Sequence, residues 1–160
     1  MSVSLKFQTT LRRVLPAALA IVMYVGLQPV HAGSTPDPAV MSFKLPDQIE
    51  WKGGPDGPKN ATIYGDPYKP GIYIVLTKWT PHHMSRPHFH PNDRFIHVVS
   101  GTWWVGWGPK YDPDSTYPMP AGSFVQHFGK QIHYDGAKDE ECVLEIVGQG
   151  PATTTNAEQK

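Results

Sequence analysis

The sequence predicts an all-β domain, a barrel or sandwich of short antiparallel strands. Three observations predict it. The 160 residues include 15 glycines and 17 prolines, which punctuate the chain too often for long helices. Beyond the N-terminus no stretch keeps a long apolar stripe of helical period. Short runs rich in β-branched and aromatic residues recur instead, each bounded by turn-forming residues.

The N-terminal 32 residues do not belong to that pattern. Lys6, Arg12 and Arg13 form a positive region without an acid, residues 14–27 are apolar, and Val30, His31 and Ala32 make a small-residue cleavage motif before Gly33. The apolar run falls short of the roughly 20 residues that span a bilayer. Residues 1–32 therefore read as a cleaved secretory signal, with an uncleaved anchor as the alternative and a periplasmic or secreted product as the consequence. Arg12 and Arg13 leave twin-arginine export open beside the general route.

Residues 33–69 are expected to form an extended segment, with a turn-rich loop at 51–58, and the first strands of the domain. Residues 70–150 hold the barrel core. Within it, strands are expected at 72–79, 95–99, 102–105, 123–127 and 143–147. Ser100 and Gly101 mark a hairpin turn, and residues 106–120 read as a loop. Residues 151–160 are polar and are expected to be a disordered tail.

Composition excludes several function classes. The 14 bases and 14 acids cancel over the whole chain. Without Lys6, Arg12 and Arg13, eleven bases face 14 acids, a net charge of −3. No basic face points to nucleic acid, and nothing after the signal points to a membrane. Cys142 is the single cysteine, so the chain has no internal disulfide. It sits in an apolar run, which suits a buried structural thiol better than a nucleophile.

Histidines carry the chemistry. Of eight, five fall within residues 82–97. His88 and His90 are two apart, and on a strand that spacing aims both imidazoles to one side while Phe89 turns away. A third ligand must come from elsewhere, and His133, after a glycine-initiated strand and a turn, offers one. His97 has the strand parity opposite to Arg94 and should face away. His82 and His83 sit in a proline-flanked loop, either rimming the barrel mouth or simply exposed. Trp103, Trp104, Trp107 and Tyr134 are expected to divide between core and pocket wall.

These two segments resemble the paired motifs of the cupin superfamily. The first motif has two histidines one residue apart, a glutamate three or four residues on, and a glycine after six more. His88, His90, Arg94 and Gly101 occupy that frame, with arginine in the glutamate position. Gly122, Gly129 and His133 occupy the second motif, in which Phe128, Lys130 and Ala137 replace the usual proline, glycine and asparagine. The resemblance covers roughly residues 70–148, with both motifs in order.

What it implies is a jelly-roll barrel of six to eight antiparallel strands, with one divalent metal ion held by His88, His90 and His133. Zinc, iron, copper, manganese and nickel are all compatible with such a set. The alternative is a set of hydrogen-bonded core histidines without metal. Arg94 has no lone pair to give a metal. Either it faces the cavity and offers a bidentate attachment for an anion, or the strand turns it outward to a surface partner. His127, six residues before His133, is a hydrogen-bond partner to the site, a general base, or a packing residue. Arg94 and His127 are thus the candidate catalytic residues.

The resulting expectation is an exported metal-dependent protein acting on a small, anionic organic molecule, by dioxygenase, isomerase or lyase chemistry. The competing reading is a non-catalytic module that binds a small ligand or metal in the same barrel. Such proteins commonly pair through their sheets, so a homodimer is a possible assembly.

Overall fold

The structure, a computed structural model, describes residues 33 and 35–159. The expected signal at 1–32 lies outside the described residues. Two compact units divide the chain, Met1–Met41 and Ser42–Lys160, and the second contains every strand among the described residues.

Eleven strands are described, eight of them four residues or longer. They are β1 (Lys59–Tyr64), β2 (Gly71–Trp79), β3 (His83–Met84), β4 (His88–Phe89), β5 (Arg94–Ser100), β6 (Thr102–Trp107), β7 (Tyr117–Pro120), β8 (Phe124–His127), β9 (His133–Ala137), β10 (Cys142–Gly150) and β11 (Thr155–Asn156). Among the described residues, helical structure is limited to two single 3₁₀ turns, Pro46–Gln48 and Pro113–Ser115. No helix among the described residues is long and apolar enough to cross a membrane.

Two antiparallel sheets face each other. One runs β1-β2-β10-β5-β8 and the other β11-β4-β9-β6-β7, with β3 also paired to β9. β10 is the spine of the first sheet, since it pairs with β2 from Cys142↔Trp79 to Gly150↔Gly71 and with β5 on its other side. Strand alternation turns Tyr73, Thr77 and Trp79 of β2, Ile96 and Val98 of β5, and Leu144 and Ile146 of β10 inward, where all are buried. Trp103, Val105 and Ala137 meet them from the second sheet. This is the all-β architecture that the sequence pattern predicts, in the jelly-roll form that the resemblance implies.

The hairpin expected at Ser100 and Gly101 is present, and Gly101 takes the left-handed conformation at φ 70° that the turn between β5 and β6 requires. Three features depart from expectation. Within residues 106–120, Tyr117–Pro120 form β7 against β6. β9 is a strand despite the sequence His133, Tyr134, Asp135, Gly136, Ala137, poor in strand formers. It is buried throughout, because the 108–116 loop covers its outer side, where Tyr134 Oη donates to the Asp112 carbonyl at 2.9 Å. Gly106 makes that cover possible, since a Cβ there would meet the Tyr134 ring. Finally, the disordered tail expected at 151–160 is corrected over the described residues. Thr155 and Asn156 pair with Phe89 and His88, Ala157 N–H donates to the Pro87 carbonyl at 2.9 Å, and Glu158 pairs with Arg86. Polar composition there reflects an edge position, not absence of partners.

Candidate metal and anion site

The register of the second sheet brings the first two ligand candidates together. His88 on β4 stands opposite His133 on β9, with ring centroids 4.5 Å apart. His90 is two residues beyond His88, so it returns to the same side, and its ring lies 4.9 Å from that of His88 and 5.4 Å from that of His133. One ligand atom from each of the three falls within 4.8 Å of the others. The sequence-predicted triad is thus assembled in space.

Each ring is oriented by a backbone carbonyl. Nδ1–H of His88 donates to the Arg86 carbonyl at 2.8 Å, that of His90 to the Thr153 carbonyl at 2.9 Å, and that of His133 to the Gln131 carbonyl at 3.0 Å. A carbonyl only accepts, so all three Nδ1 atoms carry a proton, and in the neutral ring Nε2 presents the lone pair. Nε2 of His88 and Nε2 of His90 approach to 3.1 Å, a contact satisfied by a proton on one of them or by a metal cation between them. Metal–nitrogen distances of about 2.0–2.1 Å place neighbouring ligand nitrogens roughly 3.0 Å apart in an octahedron and roughly 3.4 Å apart in a tetrahedron. The His88–His90 spacing lies in that range, and three imidazoles with ligand atoms within 4.8 Å of one another are a donor set of the chemistry that a divalent metal takes.

Arg94 and His127 complete the cluster from the first sheet. They are register partners on β5 and β8, and both side chains point inward, so the outward alternative for Arg94 does not hold. Nη2 of Arg94 lies 3.3 Å from His133 Nε2 and 3.5 Å from His127 Nδ1. Since a guanidinium only donates, His127 accepts at Nδ1 and holds its proton on Nε2, a buried atom without a hydrogen-bond partner. The His127 ring packs against that of His133 at 4.0 Å and against Trp103 at 5.3 Å.

Burial dominates the electrostatics. It lowers His90 and His127 to about 3 and His133 to about 4, with the Arg94 charge acting in the same direction. These three imidazoles are therefore neutral near pH 7, the state in which His90 and His133 can serve as ligands. Asp135 is the buried acid of the interior. Burial opposes its ionisation, but His133, His127, His88 and Arg94 outweigh that and hold the carboxyl below its ordinary value. It accepts from Ser85 Oγ at 2.9 Å and from Trp103 Nε1 at 3.0 Å.

Two adjoining cavities open onto this cluster, one of about 650 Å³ and one of about 470 Å³. Arg94, His90, Asn60, Thr77, Ile146 and Thr154 line both. Volumes of this size suit a small organic molecule.

The other singled-out residues lie elsewhere. His97 is on the outer face, 3.9 Å from Glu145. His82 is exposed with φ 63°, His83 belongs to β3, and neither lines the two cavities. Trp103 is core, Trp104 lies under the Lys138 ammonium at 4.0 Å, and Trp107 is 70% exposed. Cys142 is fully buried with its thiol pushed up to about 12, first by desolvation, as suits a structural residue. Sequence reasoning misses Asp135 and the carbonyl of Thr153. A signal for Asp135 exists, because it follows His133 by two on one strand and must share its face. None exists for the Thr153 contact, because it is a backbone group 63 residues from its partner.

Solved structures share this architecture. The polyketide cyclase RemF from Streptomyces resistomycificus aligns with a TM-score of 0.62 at 14% identity, over 75% of this chain and 87% of its own. An RmlC-like cupin from Shewanella frigidimarina gives 0.55 at 16% identity, over 70% and 92% of the two chains. KdgF from Halomonas sp. gives 0.54 at 17% identity, over 68% and 95%. No family model matches the sequence, and no curated protein matches it. At such identities the likeness concerns fold, and the chain has the cupin fold.

Proposed function

We propose that this chain is an exported cupin-fold enzyme that holds one divalent metal through His88, His90 and His133 and acts on a small anionic organic molecule. The observation that carries the reading is the convergence of three carbonyl-oriented imidazoles, all with Nε2 lone pairs facing inward. Bound there, the metal would supply Lewis acidity toward a carboxylate or enolate oxygen, or oxygen activation if it is iron. Arg94 supports the anionic character of the substrate. It faces both cavities beside the histidines and is able to grip a carboxylate with two parallel hydrogen bonds. Dioxygenase, isomerase and lyase reactions all begin from such a bound anion. His127, neutral and accepting from Arg94 at Nδ1, would position the guanidinium toward the bound anion.

One observation favours a second reading. Arg94 Nη2 engages the very lone pair of His133 that a metal would need, as in a metal-free module that binds a small anion without turnover. Elemental analysis separates the two. Protein purified without a histidine tag should carry about one metal per chain, lost in His88→Ala and His133→Ala, and oxygen uptake with candidate enolates then tests turnover. Metal-free, fully folded wild-type protein that takes up no added metal would leave the binding module. The stacked, exposed pair Phe95 and Phe124, with rings 6.3 Å apart on the outer face of the first sheet, supports a homodimer contact there.

A further inference from the structure

Arg94 adds a charge that the histidines alone would not bring. Its guanidinium is permanently cationic, and its Nε is buried without a hydrogen-bond partner. Among the described residues no carboxylate pairs with it within 4.0 Å. Asp135 directs its oxygens to Ser85 and Trp103 instead. With neutral imidazoles, the interior therefore carries one fixed positive and one fixed negative charge before anything binds. A dication would leave it at +2.

We propose that Arg94 makes metal and carboxylate binding mutually dependent, so that the three histidines take a divalent cation tightly only when a small carboxylate occupies the cavity against the guanidinium. The inference rests on the metal reading above and goes beyond it by naming the regulation of that site. Two effects produce the coupling. Nη2 of Arg94 donates toward His133 Nε2 at 3.3 Å, and that lone pair must be released before a metal can use it. A carboxylate that engages the guanidinium by two hydrogen bonds offers the donor a better acceptor and draws it away. The second effect is charge. A metal on His133 would lie within about 5.5 Å of Nη2, given a metal–nitrogen distance of about 2.1 Å, and repulsion at that range in a poorly solvated interior is strong. An anion between the two cations converts the repulsion into two attractions. Linkage then requires the metal to tighten the anion by the same factor.

The test titrates zinc against a competing chelator, in acetate and in perchlorate of equal ionic strength, with correction for zinc acetate in solution. Untagged wild-type, Arg94→Gln and Arg94→Lys proteins are compared, and circular dichroism establishes that each is folded. Arg94→Met replaces the glutamine variant if that one does not fold. Acetate should tighten zinc binding to the wild type roughly ten- to a hundredfold. Arg94→Gln should bind zinc more tightly than the wild type in perchlorate and differ less than about twofold between the two salts. Arg94→Lys, which keeps the charge, should keep a salt difference. Wild-type binding that is indifferent to acetate, or an acetate effect that persists in Arg94→Gln, overturns this proposal alone. Absence of zinc binding in every protein and both salts overturns it together with the metal reading.

Discussion

Nε2 of His88 and Nε2 of His90 face each other at 3.1 Å, while the Arg86 and Thr153 carbonyls each hold a proton on the opposite ring nitrogen. A metal cation would take both nitrogens in place of that mutual contact. His88→Ala or His90→Ala should therefore weaken zinc binding by more than about a hundredfold, above the loss usual for an outer hydrogen-bond partner, as read by chelator competition. The metal-free His88→Ala protein should lie within about 1 kcal/mol of the metal-free wild type, the size of a single side-chain hydrogen bond. Denaturant unfolding in the presence of a chelator checks this.

Acid should destabilise the metal-free protein. His90, His127 and His133 have folded values lowered to about 3, 3 and 4, whereas unfolded histidine titrates near 6.5. Below 6.5 the unfolded chain binds protons that the folded chain refuses, so stability is complete above about pH 6.5 and falls as pH drops toward 4. Three such groups give a slope approaching roughly 4 kcal/mol per pH unit near pH 5. Denaturant midpoints at pH 7, 6 and 5 measure it, and His127→Gln should remove about a third of the slope.

Asp135 is the nearest compensation for the buried Arg94 charge, so Asp135→Asn should cost about 3 kcal/mol of stability, the lower end of the range for stranding a buried charge. Combined with Arg94→Gln the loss should be smaller than the sum of the two. An additive double variant would mean that Asp135 acts only through Ser85 and Trp103.

Processing of the N-terminus is directly measurable. Expressed in a Gram-negative host, the protein should appear in the periplasm or medium, with an N-terminal sequence beginning at Gly33. Full-length protein retained in the cytoplasm or membrane would remove the export reading and leave the barrel untouched.

Much of this molecule is legible in its amino-acid sequence. Period-two alternation in β2, β5 and β10 is plain because Ile, Val and Trp are strong strand formers there. The two-residue spacing of His88 and His90 reveals a shared face. β9 is hidden because its sequence works by being covered on both sides, and coverage is a tertiary fact. The inward direction of Arg94 stays open at the level of sequence because one side chain on an otherwise readable strand gives no sign of what lies opposite. The His88↔His133 register belongs to no local pattern.

Shortening the chain after Pro151 removes the Thr153 carbonyl, β11 and the Arg86–Glu158 pair while leaving the eight longer strands intact. The truncated protein should remain folded by circular dichroism yet bind zinc about ten- to a hundredfold more weakly, the loss expected when a ligand's orienting partner goes.

The Thr153 carbonyl also imposes an order of events on biosynthesis. Every atom of the histidine cluster has been made once His133 leaves the ribosome, but the ring of His90 is not oriented until residue 153 follows, and β4 gains its second neighbour only with Asn156. A growing chain thus holds both histidine segments before their centre is fixed. On the proposed metal reading, loading of the three histidines would thereby fall to the finished protein, and the ions around it would decide the occupant.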